Sequence, residues 1–339
     1  MRRNMQQWAC SIREASDVTA LPIMTYPGLA LTGKGILDAV NNPCDQAAIV
    51  AQLAARYPAA AAAVTMMDLS LEAEAFGAQV AYSDKEVPTV LGRLVADLDA
   101  ARALPVPMVG QGRTGKALEA TGMAVAAVTD RPVFGGQIGP YSLAGRLLGL
   151  SDVVLASMRT PNLVHTVLEQ CTTFLTEFAR AIKRTGANGL LIAEPAAGLL
   201  SPRLCDTFSS PYVKRVVDAV QDSEFMVVLH NCGNSTQLVK SMLSTGACAL
   251  HVGNAVKMPE IARQMPSDRL VMGNVEPGGI FKIGSTAQVR NAVLTLLEEM
   301  RPFPNFVLSS GCDIPPGTPL ENLDAFFAAL AEHNRALAA

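Results

Sequence analysis

A chain of 339 residues, half of them hydrophobic and 17% charged, carries ample apolar material for a large buried core and lacks the charge excess of a disordered segment. Its formal net charge is -3, with Lys and Arg scattered, which excludes a basic surface that tracks a nucleic acid. No apolar run reaches the roughly 18 uninterrupted residues of a membrane span, and Met1-Arg2-Arg3-Asn4 leads into polar Gln6 and Gln7 rather than a signal-like apolar stretch. Seven cysteines at irregular spacing suit a reducing cytoplasm better than a disulfide framework.

In chain order, residues 1–20 read as an N-terminal extension and 21–339 as one catalytic domain. Short apolar runs that end in Gly, Asn, Ser or Pro predict strands at 21–25, 63–67, 131–134, 189–193, 226–229, 249–252, 270–272 and 306–308. Apolar residues spaced three and four apart predict helices at 44–57, 151–185, 202–220, 235–244, 286–300 and 320–337. The segment 82–123 has helix-like and turn-rich stretches but no clear strand, and reads as an insertion between the second and third strands. Within it, Gly110-Gln111-Gly112-Arg113-Thr114-Gly115-Lys116 has the glycine and lysine spacing of a phosphate loop. Ala117 stands where a hydroxyl would bind magnesium, so a solvated turn is expected.

Continuous apolar strands alternating with helices imply an α/β protein with a parallel sheet covered on both faces or closed on itself. Eight units predict a single (β/α)8 TIM barrel. A doubly wound open sheet is the alternative, and no Gly-rich dinucleotide fingerprint follows any strand to favour it.

In such a barrel the residues just after each strand line the C-terminal mouth. This selects Tyr26, Asp68, Gln137, Glu194, His230 with Cys232, His251 with Asn254, Asn274 with Glu276, and Cys312. In His230-Asn231-Cys232 the imidazole and thiol are two residues apart, so extended backbone points both to one side, and closure brings Cys312 to the same mouth. A Cys2His set suits zinc and leaves a fourth tetrahedral position for a substrate thiol, which loses its proton on coordination. His-x-Cys pairs also occur without metal. Asp68 either orients a substrate or imidazole, or caps the helix containing Glu72 and Glu74. Glu194 and Glu276, each before a proline, are candidates for acid–base work, for support of the ligands, or for a displaceable fourth ligand. Tyr141 either covers the mouth or packs on a helix start, and Tyr141 and Asn254 are the candidates for cofactor contact. His251 and His165 are set aside as packing or surface histidines.

Several segments together carry a resemblance: Gly186-Ala187-Asn188-Gly189 through Glu194-Pro195, Leu200-Ser201-Pro202, Leu229-His230-Asn231-Cys232-Gly233-Asn234, Gly273-Asn274-Val275-Glu276-Pro277, and Gly311-Cys312 to Pro319-Leu320-Glu321-Asn322. The sequence from about Pro22 to Leu323 resembles the uroporphyrinogen decarboxylase superfamily, and within it the methylcobamide:coenzyme M methyltransferases. Those enzymes are similar barrels in which zinc binds the thiol of coenzyme M, and the thiolate takes a methyl group from a methylated corrinoid on a partner protein. The resemblance implies His230, Cys232 and Cys312 as Zn2+ ligands, a small-molecule thiol as acceptor, methylcobamide or cobalamin as methyl donor, and a corrinoid protein as partner.

The decarboxylases proper resemble each other in an arginine-rich first loop, which here reads Thr25-Tyr26-Pro27-Gly28-Leu29-Ala30, and in a histidine where Cys312 stands. Asn254 is neutral where the methyltransferases carry an acidic residue, and Glu276 stands where the superfamily usually has Asp. The expectation is a zinc-dependent methyltransferase. The alternatives are a uroporphyrinogen decarboxylase-like lyase, a corrinoid-dependent methyltransferase with another methyl donor or acceptor, and a non-catalytic corrinoid- or metal-binding module.

Overall fold

A computed structural model describes residues 3–338. Its central sheet holds eight parallel strands: β1 (Thr19–Ala20), β2 (Ala63–Val64), β5 (Val133–Ile138), β6 (Gly189–Ala193), β7 (Met226–Asn231), β8 (Ala249–Val252), β9 (Leu270–Val275) and β10 (Phe306–Ser310). The hydrogen-bonded order is β1-β10-β9-β8-β7-β6-β5-β2. An Ala20–Ala60 bridge, with the Ala61 amide donating to the Ala20 carbonyl at 2.8 Å, brings the β2 end back to β1 and closes the barrel. β3 (Gln79–Ala81) and β4 (Thr89–Leu91) form a separate antiparallel pair.

Each expected strand has a counterpart, with two displaced along the chain: β5 spans 133–138 against the expected 131–134, and the first strand is shifted furthest. β1 lies at 19–20, ahead of the predicted 21–25, because that run leaves the ladder after the Leu21 amide bonds the Leu308 carbonyl. The expectation of a strand-free 82–123 is corrected, since β4 falls inside it. β3 and β4 are short and half exposed, so neither carries the apolar run that marked the barrel strands. The predicted helix 151–185 is two helices, Leu150–Arg159 and Pro161–Arg184, because Pro161 has no amide hydrogen to continue the first. The 202–220 segment likewise divides at Ser209, ahead of Pro211.

Alternate residues of the strands fill the barrel. Phe134, Leu191, Met226, Val228, Ala249, Leu270, Met272 and Val307 make one buried cluster inside it. The helix Met5–Glu14, within the expected N-terminal extension, closes the N-terminal end: Met5 and Ile12 join that cluster, and Trp8 lies 5.9 Å from the Phe134 ring. The larger apolar cluster lies outside the sheet, between strands and helices, where Pro161–Arg184 contributes Val164, Leu168, Phe174 and Phe178. Among the described residues no helix is long and apolar enough to cross a membrane.

Candidate metal centre

The inward parity of the strands turns from apolar to polar at the C-terminal mouth. On β7, Met226 and Val228 are followed by His230; on β8, Ala249 by His251; on β10, Val307 by Ser309. Residues two apart in a strand share a face, so these polar side chains stand on top of the apolar interior. The register sets His230 beside His251 and Ala193 beside His230.

Backbone bonds at the strand ends present the two cysteines. The Asn231 side-chain NH2 donates to the Glu194 carbonyl at 2.8 Å, while its side-chain oxygen accepts from the Gly233 amide at 2.8 Å, fixing the turn around Cys232. A Cβ at Gly253 would stand 2.6 Å from the Cys232 Cα, so only glycine lets the β8 end pass so close. Beyond β10, the Gly311 amide donates to the Val275 carbonyl at 2.6 Å and the Ile314 amide to the Ile23 carbonyl at 2.9 Å, holding Cys312 between.

The result is a compact donor set. One ring nitrogen of His230 and the sulfurs of Cys232 and Cys312 all lie within 4.8 Å of one another, and Cys312 Sγ is 3.5 Å from His230 Nε2. Tetrahedral zinc, with Zn–S near 2.3 Å and Zn–N near 2.0–2.1 Å, spaces its ligand atoms by roughly 3.5–3.8 Å. The donor chemistry and the spacing fit that ion. The proton balance of the thiols agrees: the hydrogen bond from Cys312 holds the Cys232 thiol low, while the same bond and burial push Cys312 far up. Two adjacent half-buried thiols do not readily both ionise without a cation between them.

The remaining candidates divide. Asp68 does not meet the thiols; its carboxylate accepts from the Ser70 amide at 2.9 Å and hydroxyl at 2.7 Å and pairs with the buried Arg113, which also pairs with Glu74. Arg113 thereby corrects the expected solvated turn at 110–116: the helix Gly112–Ala127 starts there and turns this residue inward. Glu194 is buried, with its carboxylate accepting from the Tyr141 and Ser142 amides at 2.8 and 2.9 Å and from the Ser209 hydroxyl at 3.0 Å. Burial raises its pKa and these donors oppose the rise. Those bonds anchor the start of the helix Pro140–Leu148. Tyr141 is a correction as a cofactor contact: it is fully buried and its hydroxyl meets Ser157 at 3.0 Å, so it cannot cover the mouth. Glu276 is exposed where β9 runs out, and Asn254 is exposed with its backbone and side chain against Gly311.

The structure adds residues that the sequence reading passed over. His251, set aside as a packing histidine, has Nδ1 2.8 Å from His230 Nδ1. Its Nε2 lies 2.9 Å from Ser309 Oγ, which donates to the Leu21 carbonyl at 2.6 Å. Asp313, next to Cys312, accepts from the Thr25 amide at 3.3 Å and hydroxyl at 2.7 Å, tying the first loop to the last strand. The available signal was strand parity: His251 follows Ala249 by two, and Ser309 follows Val307 by two.

Comparison with known proteins agrees with the architecture. The sequence pattern of the uroporphyrinogen decarboxylase (URO-D) family matches residues 25–333. The methylcobamide:CoM methyltransferase MtbA of Methanosarcina acetivorans is 30% identical over 261 residues, 76% of this chain and 75% of that protein. MtaA of Methanosarcina barkeri, named for the same activity, is 27% identical over 97% of this chain and 99% of its own. Among solved structures, a methyltransferase from Methanosarcina mazei superposes with a TM-score of 0.85 at 23% identity, covering 98% of this chain and 99% of that one, and so shares the fold. With its barrel and nearly its whole length accounted for, this chain belongs to the uroporphyrinogen decarboxylase family.

Proposed function

We propose that this protein is a zinc-dependent methyltransferase that moves a methyl group from a methylated corrinoid to a small thiol such as coenzyme M. The observation that carries the reading is the convergence of His230 Nε2, Cys232 Sγ and Cys312 Sγ at the barrel mouth. The relatives named for methylcobamide:CoM methyl transfer support it.

His230, Cys232 and Cys312 would hold the ion. Zinc bound there supplies a Lewis acid that keeps a substrate thiol ionised near neutral pH, where a free thiol of pKa about 8.5 is only a few per cent thiolate. The substrate sulfur then attacks the methyl carbon. The S–C bond forms as the C–Co bond breaks, its electron pair stays with cobalt, and Co(III) becomes Co(I); the thiol proton passes to solvent at the mouth. Asp68 and Glu194 spend their oxygens on Arg113, Ser70 and the Pro140–Leu148 helix, and so hold the scaffold. Glu276 is the acidic candidate whose side chain is open to a bound substrate. Asn254, exposed beside Gly311, is the remaining candidate for contact with the corrinoid. The corrinoid arrives over the mouth, carried by a partner protein or free. Free thiols at all seven cysteines fit a cytoplasmic setting.

A decarboxylase working on a polycarboxylate would need cations facing its substrate. The first loop offers none: residues 25–30 contain no Arg or Lys, and Thr25 there is bonded to Asp313.

The test measures metal by elemental analysis in the wild type and Cys312→Ala, alongside methyl transfer from methylcobalamin to coenzyme M followed by the cobalt absorbance. About one zinc per chain, lost with activity in the variant, is expected. A zinc-free, chelator-naive wild type, or full activity in Cys312→Ala, overturns the proposal.

A further inference from the structure

The hydrogen bonds beneath the metal centre form a chain whose direction can be worked out from its far end. The Leu21 carbonyl can only accept, so the Ser309 hydroxyl, 2.6 Å away, spends its one proton there. Ser309 Oγ must then accept from His251 Nε2, at 2.9 Å, which places a proton on that nitrogen. His251 is fully buried and has no carboxylate among its hydrogen-bond partners, so it holds a single proton, and its Nδ1 is an acceptor. The neighbour facing that Nδ1 at 2.8 Å is His230 Nδ1, which must donate.

We infer that His251, Ser309 and the Leu21 carbonyl act as a tautomer lock, fixing the His230 proton on Nδ1 so that the bare Nε2 lone pair faces Cys312 and Cys232. His251 is thus a positioning residue: it touches neither the ion nor the substrate and acts through His230. The inference rests on the zinc reading for its purpose, though the proton arrangement itself is a property of the chain. Two features separate it from ordinary packing. The rings meet nitrogen to nitrogen at 67° between planes, an edge contact that directs one ring's donor at the other's lone pair. With His251 carrying one proton, on Nε2, the bonds from His230 to the Leu21 carbonyl are all satisfied in one direction. Without the lock, an isolated imidazole favours the Nε2–H form, and binding would have to move that proton first. Outer partners of this kind are worth about 10–100-fold in metal affinity.

Two measurements on the full-length chain test it. In chelator-treated protein labelled with 15N-histidine, long-range proton–nitrogen correlation spectra report the tautomer of each of the four histidines, assigned by single substitutions. His230 is expected with hydrogen on Nδ1 and an unprotonated Nε2; hydrogen on Nε2 in the wild type overturns the lock, and this readout needs no variant to fold. Zinc affinity by competition with a chromophoric chelator gives the second. His251→Phe keeps a ring but offers no acceptor and is expected to weaken zinc 10–100-fold, whereas His251→Asn restores an acceptor near Nδ1 and stays within about threefold of wild type. Equal affinity for wild type and a folded His251→Phe overturns the inference. Failure of the wild type to bind zinc instead overturns the proposed function, whatever the His230 tautomer.

Discussion

At Gly253 one absent methyl group decides where a thiol can stand. A Cβ there would lie 2.6 Å from the Cys232 Cα and 2.7 Å from its carbonyl oxygen, and backbone cannot swing aside as a flexible side chain can. Gly253→Ala is therefore expected to displace Cys232 and lower zinc occupancy well below one per chain, with a stability loss of about 1–3 kcal/mol. Elemental analysis and a urea unfolding midpoint measure both; an alanine variant with full zinc would show that the β8 end moves freely. A second residue carries a pH dependence. Burial raises the pKa of Glu72 to about 7, and only one of its oxygens is bonded, accepting from the Ile138 amide at 3.0 Å. The folded-state pKa lies above the unfolded carboxylate value near 4.3, so folded Glu72 holds its proton more tightly. Its penalty is absent below about pH 4, grows as pH rises to 7, and is constant above. Glu72→Gln is expected to raise the unfolding free energy at pH 8 by up to about 3 kcal/mol and to leave it unchanged at pH 4, as read from urea unfolding. A variant with equal stabilisation at both pH values would show that Glu72 does not titrate in this window.

Elements separate the two ends of the barrel. The helix Met5–Glu14 packs beneath Phe134, Met226 and Leu270, with the Met5 amide bonded to the Ser223 carbonyl at 2.7 Å, whereas the thiols stand beyond the opposite strand ends. Met5→Ala is expected to lower unfolding free energy by about 2–4 kcal/mol while leaving zinc stoichiometry intact. Coupled loss of zinc at a denaturant concentration where the chain stays folded would mean that the two ends communicate. The elements themselves were legible to unequal degrees. Barrel strands such as Gly189–Ala193 and Ala249–Val252 are buried on both faces, so their apolar runs coincide with their bounds. β3 and β4 are paired only with each other and half exposed, so nothing apolar marks them. The helix breaks at Pro161 and Ser209 leave the apolar spacing continuous, and the prolines were the signal to be weighed against it.

For the whole molecule, the division between an apolar barrel and a polar mouth explains what could be read in advance. His230, Cys232 and Cys312 stood out because soft and nitrogen ligands followed predicted strands, and closure converted sequence distance into proximity. His251, Ser309 and Arg113 were harder because their roles depend on which neighbour the register supplies: His251 gains meaning only opposite His230, and Arg113 only against Asp68. The same division sets the consequence of metal removal. In a small zinc module the ion replaces a missing core, and chelation unfolds the chain. Here the interior cluster from Phe134 to Val307 and the larger outer cluster are complete without it. Chelated protein is therefore expected to keep its far-UV circular dichroism and a single cooperative melt. Returning zinc then adds only the linkage term, about 4 kcal/mol at a free concentration a thousand times the dissociation constant, and raises the melting temperature by several degrees. The Cys312→Ala chain should melt near the chelated wild type and ignore added zinc, because its donor set is reduced to His230 and Cys232. Collapse of the wild type on chelation would place the ion among the determinants of the fold, and an equal zinc response in the variant would move the binding site away from the barrel mouth.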